Sequence, residues 1–249
     1  MDPEPVPIGS SPAMRAPVFI QAWEPCAFIH WPVDVDAVTP LLPPGCTADT
    51  YEDQTYVGLI PLVIRRVQVF SGRPVRHMST FTELNVRIYS VDAEGRRGIV
   101  FLSLDAERLV AVLAAQASYR LPYNWARMSY ENTGDEHRWT SVRRWPGPVG
   151  AQARVGVRMG PLIAEPDPLT CFLTTRWNLH TAWPGGHTAY VAAEHDIWPL
   201  HQATILDLDE NVIAAGGLPA PTGDPHVLFS PGVTARIGPP IRVRRPPNG

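Results

Sequence analysis

Lysine is missing altogether: all 21 basic side chains in the 249 residues are arginine. A coding bias toward GC-rich codons accounts for this together with the abundance of Ala, Gly and Pro. Its chemical consequence holds whatever the cause, because without a side-chain amine no lysine Schiff base can form. Cysteine is scarce. Cys26, Cys46 and Cys171 are far apart, include no CxxC pair and number three, which argues against a disulfide framework and a structural zinc site and fits free thiols in a reducing compartment. No apolar run approaches the roughly 20 residues that cross a bilayer. The acids and prolines of "MDPEPVPIGSSPAMRAP" leave no apolar segment for an export signal, so a cytoplasmic protein is expected. The net charge of −3 comes without a basic stripe, so no nucleic-acid partner is expected. Arginine pairs at 65/66, 96/97, 143/144 and 244/245 read as solvated strand ends. There is no GxSxG, P-loop or GxGxxG signature, and "PCAFI" and "TCFLT" place Cys26 and Cys171 in core-like settings.

What the chain has is strand-forming sequence. Residues 1–17 carry five prolines and little periodicity and predict a disordered tail. From there, extended segments are predicted near 18–31, 54–70, 79–91, 97–104, 124–132, 136–145, 149–159, 174–183, 187–194, 199–207 and 226–243. "DAEGRRG" marks a hairpin turn. Two helices stand out: one over "VDVDAVTPLLPPG", capped by Asp34 or Asp36, and one over "SLDAERLVAVLAAQASYRLP". In the second, Asp105 is the expected N-cap, Leu109, Val112, Leu113 and Gln116 share a face, and Pro122 is the stop. No repeat or linker divides 18–243. The expected fold is therefore a β-rich α+β single domain, whose strongly coiled antiparallel sheet closes into a cone or barrel, since so many strands cannot stay open without unpaired edges.

The stretch "FTELNVRIY" at 81–89 alternates unusually. Thr82, Leu84, Val86 and Ile88 form one face, and Leu84, Val86 and Ile88 are expected to pack on a second layer. Phe81, Glu83, Asn85, Arg87 and Tyr89 form the other. Glu83 and Arg87 lie about 13 Å apart along the strand and cannot satisfy each other. That face is either solvated or cross-strand paired, or it lines a pocket in which Arg87 holds a carboxylate or carbonyl, Asn85 assists, and Glu83 moves a proton. In "YRLPYNW", Tyr119, Arg120 and Tyr123 are either a helix end packed on a rim or contacts to a ligand at the mouth of the cone. His180, His187, His195 and His201 fall within 22 residues, but without HxH or HExxH spacing no metal is expected; they are either packed and hydrogen-bonded or, for His195 beside Trp198, a ligand contact acting as a pocket acid or base. His30 and Trp31 read as core or rim.

Taken in order, "HWPVDVDAVTPLLPPG", "FTELNVRIY", "GIVFLSLDA", "YRLPYNWARM", "FLTTRW" and "HDIWPL" resemble the YqjF-like family of bacterial proteins, the domain of unknown function 2071. That family is in turn similar to acetoacetate decarboxylase, which implies a twisted antiparallel sheet closing around an apolar pocket. The decarboxylase forms its Schiff base on a lysine near a helix end that looks like "SYRLPYNW" here. Arg120 stands where an amine is needed, and a guanidinium is no nucleophile at neutral pH. The expectation is a cofactor-free protein binding a small apolar carbonyl- or carboxylate-bearing metabolite. Either it acts as a lyase, isomerase or cyclase through Glu83 and Arg87, or it is a binding or sensing module with the same pocket; a filled, purely structural sheet is the third possibility. A homo-oligomer is compatible with the sequence.

Overall fold

Long β-branched and aromatic runs, of which "FIQAWEPCAFIHWPV" and "TYVGLIPLVIRRVQV" are the longest, fold as strands of one sheet. The computed structural model describes residues 3–6, 14–70, 72 and 79–244. Its strands are β1 (Phe19–Val33), β2 (Thr47–Ala48), β3 (Thr55–Val69), β4 (Thr80–Val91), β5 (Arg97–Ala106), β6 (Tyr123–Thr133), β7 (Glu136–Trp145), β8 (Gln152–Leu162), β9 (Asn178–Trp183), β10 (His187–His195), β11 (His201–Glu210), β12 (His226–Ser230), β13 (Val233–Ile237) and β14 (Ile241–Arg242). The helices are α1 (Val35–Val38), α2 (Leu109–Tyr119), α3 (Pro168–Thr174) and α4 (Val212–Ala215). Among the described residues no helix is long and apolar enough to cross a membrane.

The strand order is β12-β11-β8-β7-β6-β5-β9-β10-β13-β1-β3-β4-β2, and additional β12–β1 and β5–β4 pairings close the sheet on itself. Two rings result, sharing the wall β1–β3–β4–β5. One ring is completed by β9, β10 and β13, the other by β6, β7, β8, β11 and β12. Pairing is antiparallel apart from β5–β6 and β5–β9, where the chain crosses over through α2 or through a long excursion. The β4–β5 hairpin turns at the expected place: Asp92 Oδ1 accepts from the Glu94 and Arg96 amides (2.8 and 3.0 Å), and Gly95 takes the positive φ of 81°.

The shared wall is buried on both faces. Leu84, Val86 and Ile88 turn into the larger ring, where they meet Leu59, Val155, Trp139 and Phe229 in a packed core. Glu83, Asn85 and Arg87 turn into the smaller ring, which is not filled. Every residue of β4 after Thr80 is buried.

Several expectations need correction. Asp105 does not cap α2; it lies in β5, paired with Arg143 (2.7 Å) and Ser141 (2.9 Å). That buried partner extends β5 to Ala106 and delays the helix, whose N-cap position is Arg108 with no side-chain cap bond. Leu109 and Leu113 are exposed, while Ala111 and Val112 form the inner face. The strand expected near 174–183 begins only at Asn178, because α3, started upstream by Pro168 at its first turn and by Asp167 Oδ1, which accepts from the Thr170 amide (2.7 Å), runs on to Thr174. The long strand near 226–243 is three short ones, broken at Pro231–Gly232 and Pro239–Pro240. Arg143 is buried and Arg97 mostly so, against carboxylates rather than solvent; Arg245 lies outside the described residues. Cys171 is only half-buried, whereas Cys26 is buried. Of the N-terminal segment expected to be disordered, residues 1–2 and 7–13 lie outside the described residues. Glu4 lies against the β4–β5 turn, its amide donating to Gly95 O (2.9 Å) and its carbonyl accepting from Arg97 Nε (2.6 Å).

Candidate active site

The smaller ring encloses a cavity of about 150 Å³ whose wall includes Glu83, Asn85, Arg87, Tyr119, Tyr123 and His195. Register places these residues. On β3 and β4, Leu62 faces Glu83, Ile60 faces Asn85, and Gly58 faces Arg87, so each cavity-facing polar residue has an apolar or absent neighbour across the strand. Gly58 is the special position. A Cβ there would stand 2.9 Å from His30 Cδ2 and 3.3 Å from Arg87 Cγ, so the missing side chain makes room for both.

Glu83 is 4% exposed and accepts a hydrogen bond from the Tyr123 hydroxyl at 2.7 Å. Burial pushes its carboxyl up to about 7, while the hydrogen bonds from Tyr123 and Asn85 restrain the rise. Burial, reinforced by the Glu83 charge, raises the Tyr123 phenol well above its ordinary value, so the pair holds its protons near neutrality with Glu83 as the group that exchanges. Asn85 Oδ1 is buried without a hydrogen-bond partner.

Arg87 is 8% exposed. Its Nη2 donates to the Leu173 carbonyl (3.0 Å) and, at longer range, to the Tyr89 hydroxyl (3.4 Å), and its Nε has no acceptor. The Leu173 carbonyl belongs to the last turn of α3, where carbonyls lack helical partners and the helix presents its negative end. Among the described residues no carboxylate lies within ion-pairing distance of Arg87. The Tyr89 hydroxyl also donates to Leu173 O (2.8 Å), so His30 Nε2, 2.8 Å away, is the donor to Tyr89. His30 is thereby held as the neutral Nε2–H tautomer, its pKa driven well down by burial and then by Arg87.

His195 is buried in an aromatic corner with Trp23, Trp177 and Trp198. Its Nδ1 donates to Asp196 O at 2.7 Å, and burial lowers its pKa, keeping it neutral. Tyr119 contributes its ring, its hydroxyl being committed to Gly238 O (3.0 Å). Arg120 is the exception among the expected site residues: it is exposed, has a left-handed φ of 55°, and lies over Trp183 with 5.9 Å from Cζ to the ring centroid. As the residue just past α2 it turns outward, and it does not line the cavity.

Sequence reasoning missed Arg176, Thr174, Asn178 and Cys26 in the cavity wall. Arg176 follows α3 directly, at a turn where no periodicity marks a facing side chain; its one signal was membership of "FLTTRW". The four clustered histidines are dispersed, and among the described residues no group of three or more His, Cys, Asp or Glu side chains could hold a metal ion. Ser90 Oγ, His180 and Asp92 do form a line, with 2.8 Å from Oγ to Nδ1 and 3.4 Å from Nε2 to Asp92 Oδ2. All three are buried and none borders the cavity, so the line ties β4 to β9 rather than meeting a substrate.

Comparison with known proteins adds the following. The model of the family DUF2071, described as an uncharacterized conserved protein, matches residues 20–234. The uncharacterized protein YqjF of Bacillus subtilis is 33% identical over 210 residues, covering 84% of this chain and 86% of that protein. Among solved structures, acetoacetate decarboxylase of Legionella pneumophila superposes with a TM-score of 0.63 at 12% identity, covering 94% of this chain and 93% of the other. The enduracididine biosynthesis enzyme MppR complexed with pyruvate gives 0.60 at 14% identity, covering 92% of each chain. At such identities the likeness to both enzymes is one of fold.

Proposed function

For this chain, which belongs to the DUF2071 family, we propose a cytoplasmic enzyme that binds a small apolar metabolite bearing a carbonyl or carboxylate and moves a proton on it, with Glu83 as acid and base and Arg87 as the holder of negative charge. The reading is carried by the pairing of a buried carboxyl, pushed up to about 7, with a buried guanidinium that has no carboxylate partner among the described residues, both on the wall of one cavity. Glu83 as carboxylate takes a proton from the carbon beside the carbonyl. The electron pair left on carbon moves to the carbonyl oxygen, while Arg87, further along the same face of the strand, holds the ligand's carboxylate and favours the developing negative charge. Return of the proton to the same or a conjugated carbon completes an exchange or isomerisation. Tyr123 keeps Glu83 oriented through its 2.7 Å hydrogen bond. A lysine Schiff base has no part in the step, since the chain has no lysine.

Support comes also from the neighbours of the same fold: one is an acetoacetate decarboxylase and another an enzyme with pyruvate bound. A purely binding module would gain nothing from a carboxyl held near neutrality, and the raised Glu83 favours turnover over sensing. The test is deuterium exchange. Two- and three-oxo monocarboxylic acids incubated in heavy water with the protein should gain deuterium at the carbon beside the carbonyl, and Glu83→Gln should abolish the gain. Exchange that persists in Glu83→Gln would overturn the assignment, and binding without any exchange would reduce the protein to a sensor.

A further inference from the structure

Arg176 carries more charge into the cavity wall than the chain itself answers. It is 5% exposed, and its Nε, Nη1 and Nη2 all lack a hydrogen-bond partner. Its one ionic contact, Nη2 to Asp49 Oδ2 at 3.0 Å, is close enough to be an ion pair but misaligned for a hydrogen bond. Asp49 is in turn shared with Arg97. Among the described residues, one carboxylate therefore serves two guanidiniums, while Arg87, the third, has none. Arg87 and Arg176 both lie against the ring of Tyr89, with their Cζ atoms 5.7 and 5.1 Å from its centroid, and both border the cavity. Unanswered buried N–H groups and charge are costly, and a planar carboxylate with two acceptor oxygens is the group that matches two forks of N–H donors.

Beyond the polar groups Glu83, Asn85 and His195, the rest of the wall is mostly apolar and largely aromatic: Phe28, under Arg87 with 5.6 Å from Cζ to its ring centroid, meets Trp198 edge to face at 5.0 Å, and Trp23 stacks on Trp198 at 6.0 Å. On the α2 side the wall is made of Ala111, Ala114 and Ala115. At about 150 Å³ the space is the size known to hold one benzene ring. From these observations, and resting on the reading of the cavity as a small-molecule site, we infer that Arg87 and Arg176 together form a carboxylate clamp, and that the ligand is a monocarboxylate whose body is a single aromatic ring or a branched chain of similar size.

Calorimetric titration of the full chain with phenylacetate, 4-methyl-2-oxopentanoate and the neutral isostere phenylacetamide tests the clamp. Both acids should bind, with phenylacetamide at least tenfold weaker than phenylacetate. Arg176→Met should weaken phenylacetate at least tenfold while leaving phenylacetamide unchanged, a split that a merely structural arginine would not produce. Equal affinity for acid and amide in the native protein overturns the clamp whether or not the variant folds. A folded Arg176→Met with undiminished acid binding reduces Arg176 to the partner of Asp49 and leaves Arg87 as the sole holder of charge. Failure of all three probes to bind rejects the ligand class, while proton exchange at Glu83 is judged separately by deuterium incorporation.

Discussion

Glu83 ties the chemistry to a stability measurement that needs no ligand. In the unfolded chain its carboxyl has the ordinary value of 4.5, and in the fold burial pushes it up to about 7. Between those values the native state keeps a proton that the unfolded state has released, so stability falls as pH rises through this window. The contribution of the protonated form is complete below 4.5 and lost above 7. At 1.36 kcal/mol per pH unit the difference amounts to about 3 kcal/mol, and at 4% exposure solvent screens little of it. Glu83→Gln mimics the protonated acid and retains an oxygen to accept from Tyr123. Urea denaturation of both proteins at pH 4, 5, 6, 7 and 8 should show nearly equal stability at pH 4, with the Gln variant ahead by about 1 kcal/mol at pH 5 and by about 3 kcal/mol at pH 8. Every other titrating group cancels in the difference. A pH-independent gap, or a wild type that gains on the variant as pH rises, would mean that Glu83 is ionised in the fold, and its role as acid and base would fall with it.

Other consequences can be measured in the same way. Leu84→Ala and Ile88→Ala remove side chains packed inside the larger ring and should each cost about 2 to 5 kcal/mol in denaturant melts; a loss below about half a kcal/mol would mean this face is not core. Gly58→Ala would drive a methyl to 2.9 Å from His30 Cδ2, and His30 is pinned by Tyr89, so a loss of about 1 to 3 kcal/mol is expected; an unchanged melt would show the pocket floor to be slack. Treatment with acetoacetate and borohydride should leave no adduct on any side chain by intact mass, since the amine it requires is absent. A side-chain adduct would refute that chemistry.

Local pattern decided much of this molecule. The two-residue alternation of 81–89 sufficed to separate a core face from a polar face, because a strand sends successive side chains to opposite sides. It therefore placed Glu83, Asn85 and Arg87 together without any knowledge of the sheet. The turn marked by Asp92 and Gly95, the strand-sized apolar segments and the absence of lysine were equally readable, each depending only on nearby residues or on composition. What the polar face meets was beyond that reach. Solvent, a cross-strand ion pair and a cavity all suit the same nine residues, and the choice followed from the pairings that close the rings, β5–β9, β13–β1 and β12–β1, which join segments distant in sequence. For the same reason Asp105 read as a helix cap: its partner Arg143 is 38 residues away, and only the fold brings the two together. Arg176 shows the limit most plainly. Its sequence neighbours say nothing of a site, and its role arises because α3 ends where β4 and Asp49 pass, leaving a guanidinium on the cavity wall with too few acceptors of its own.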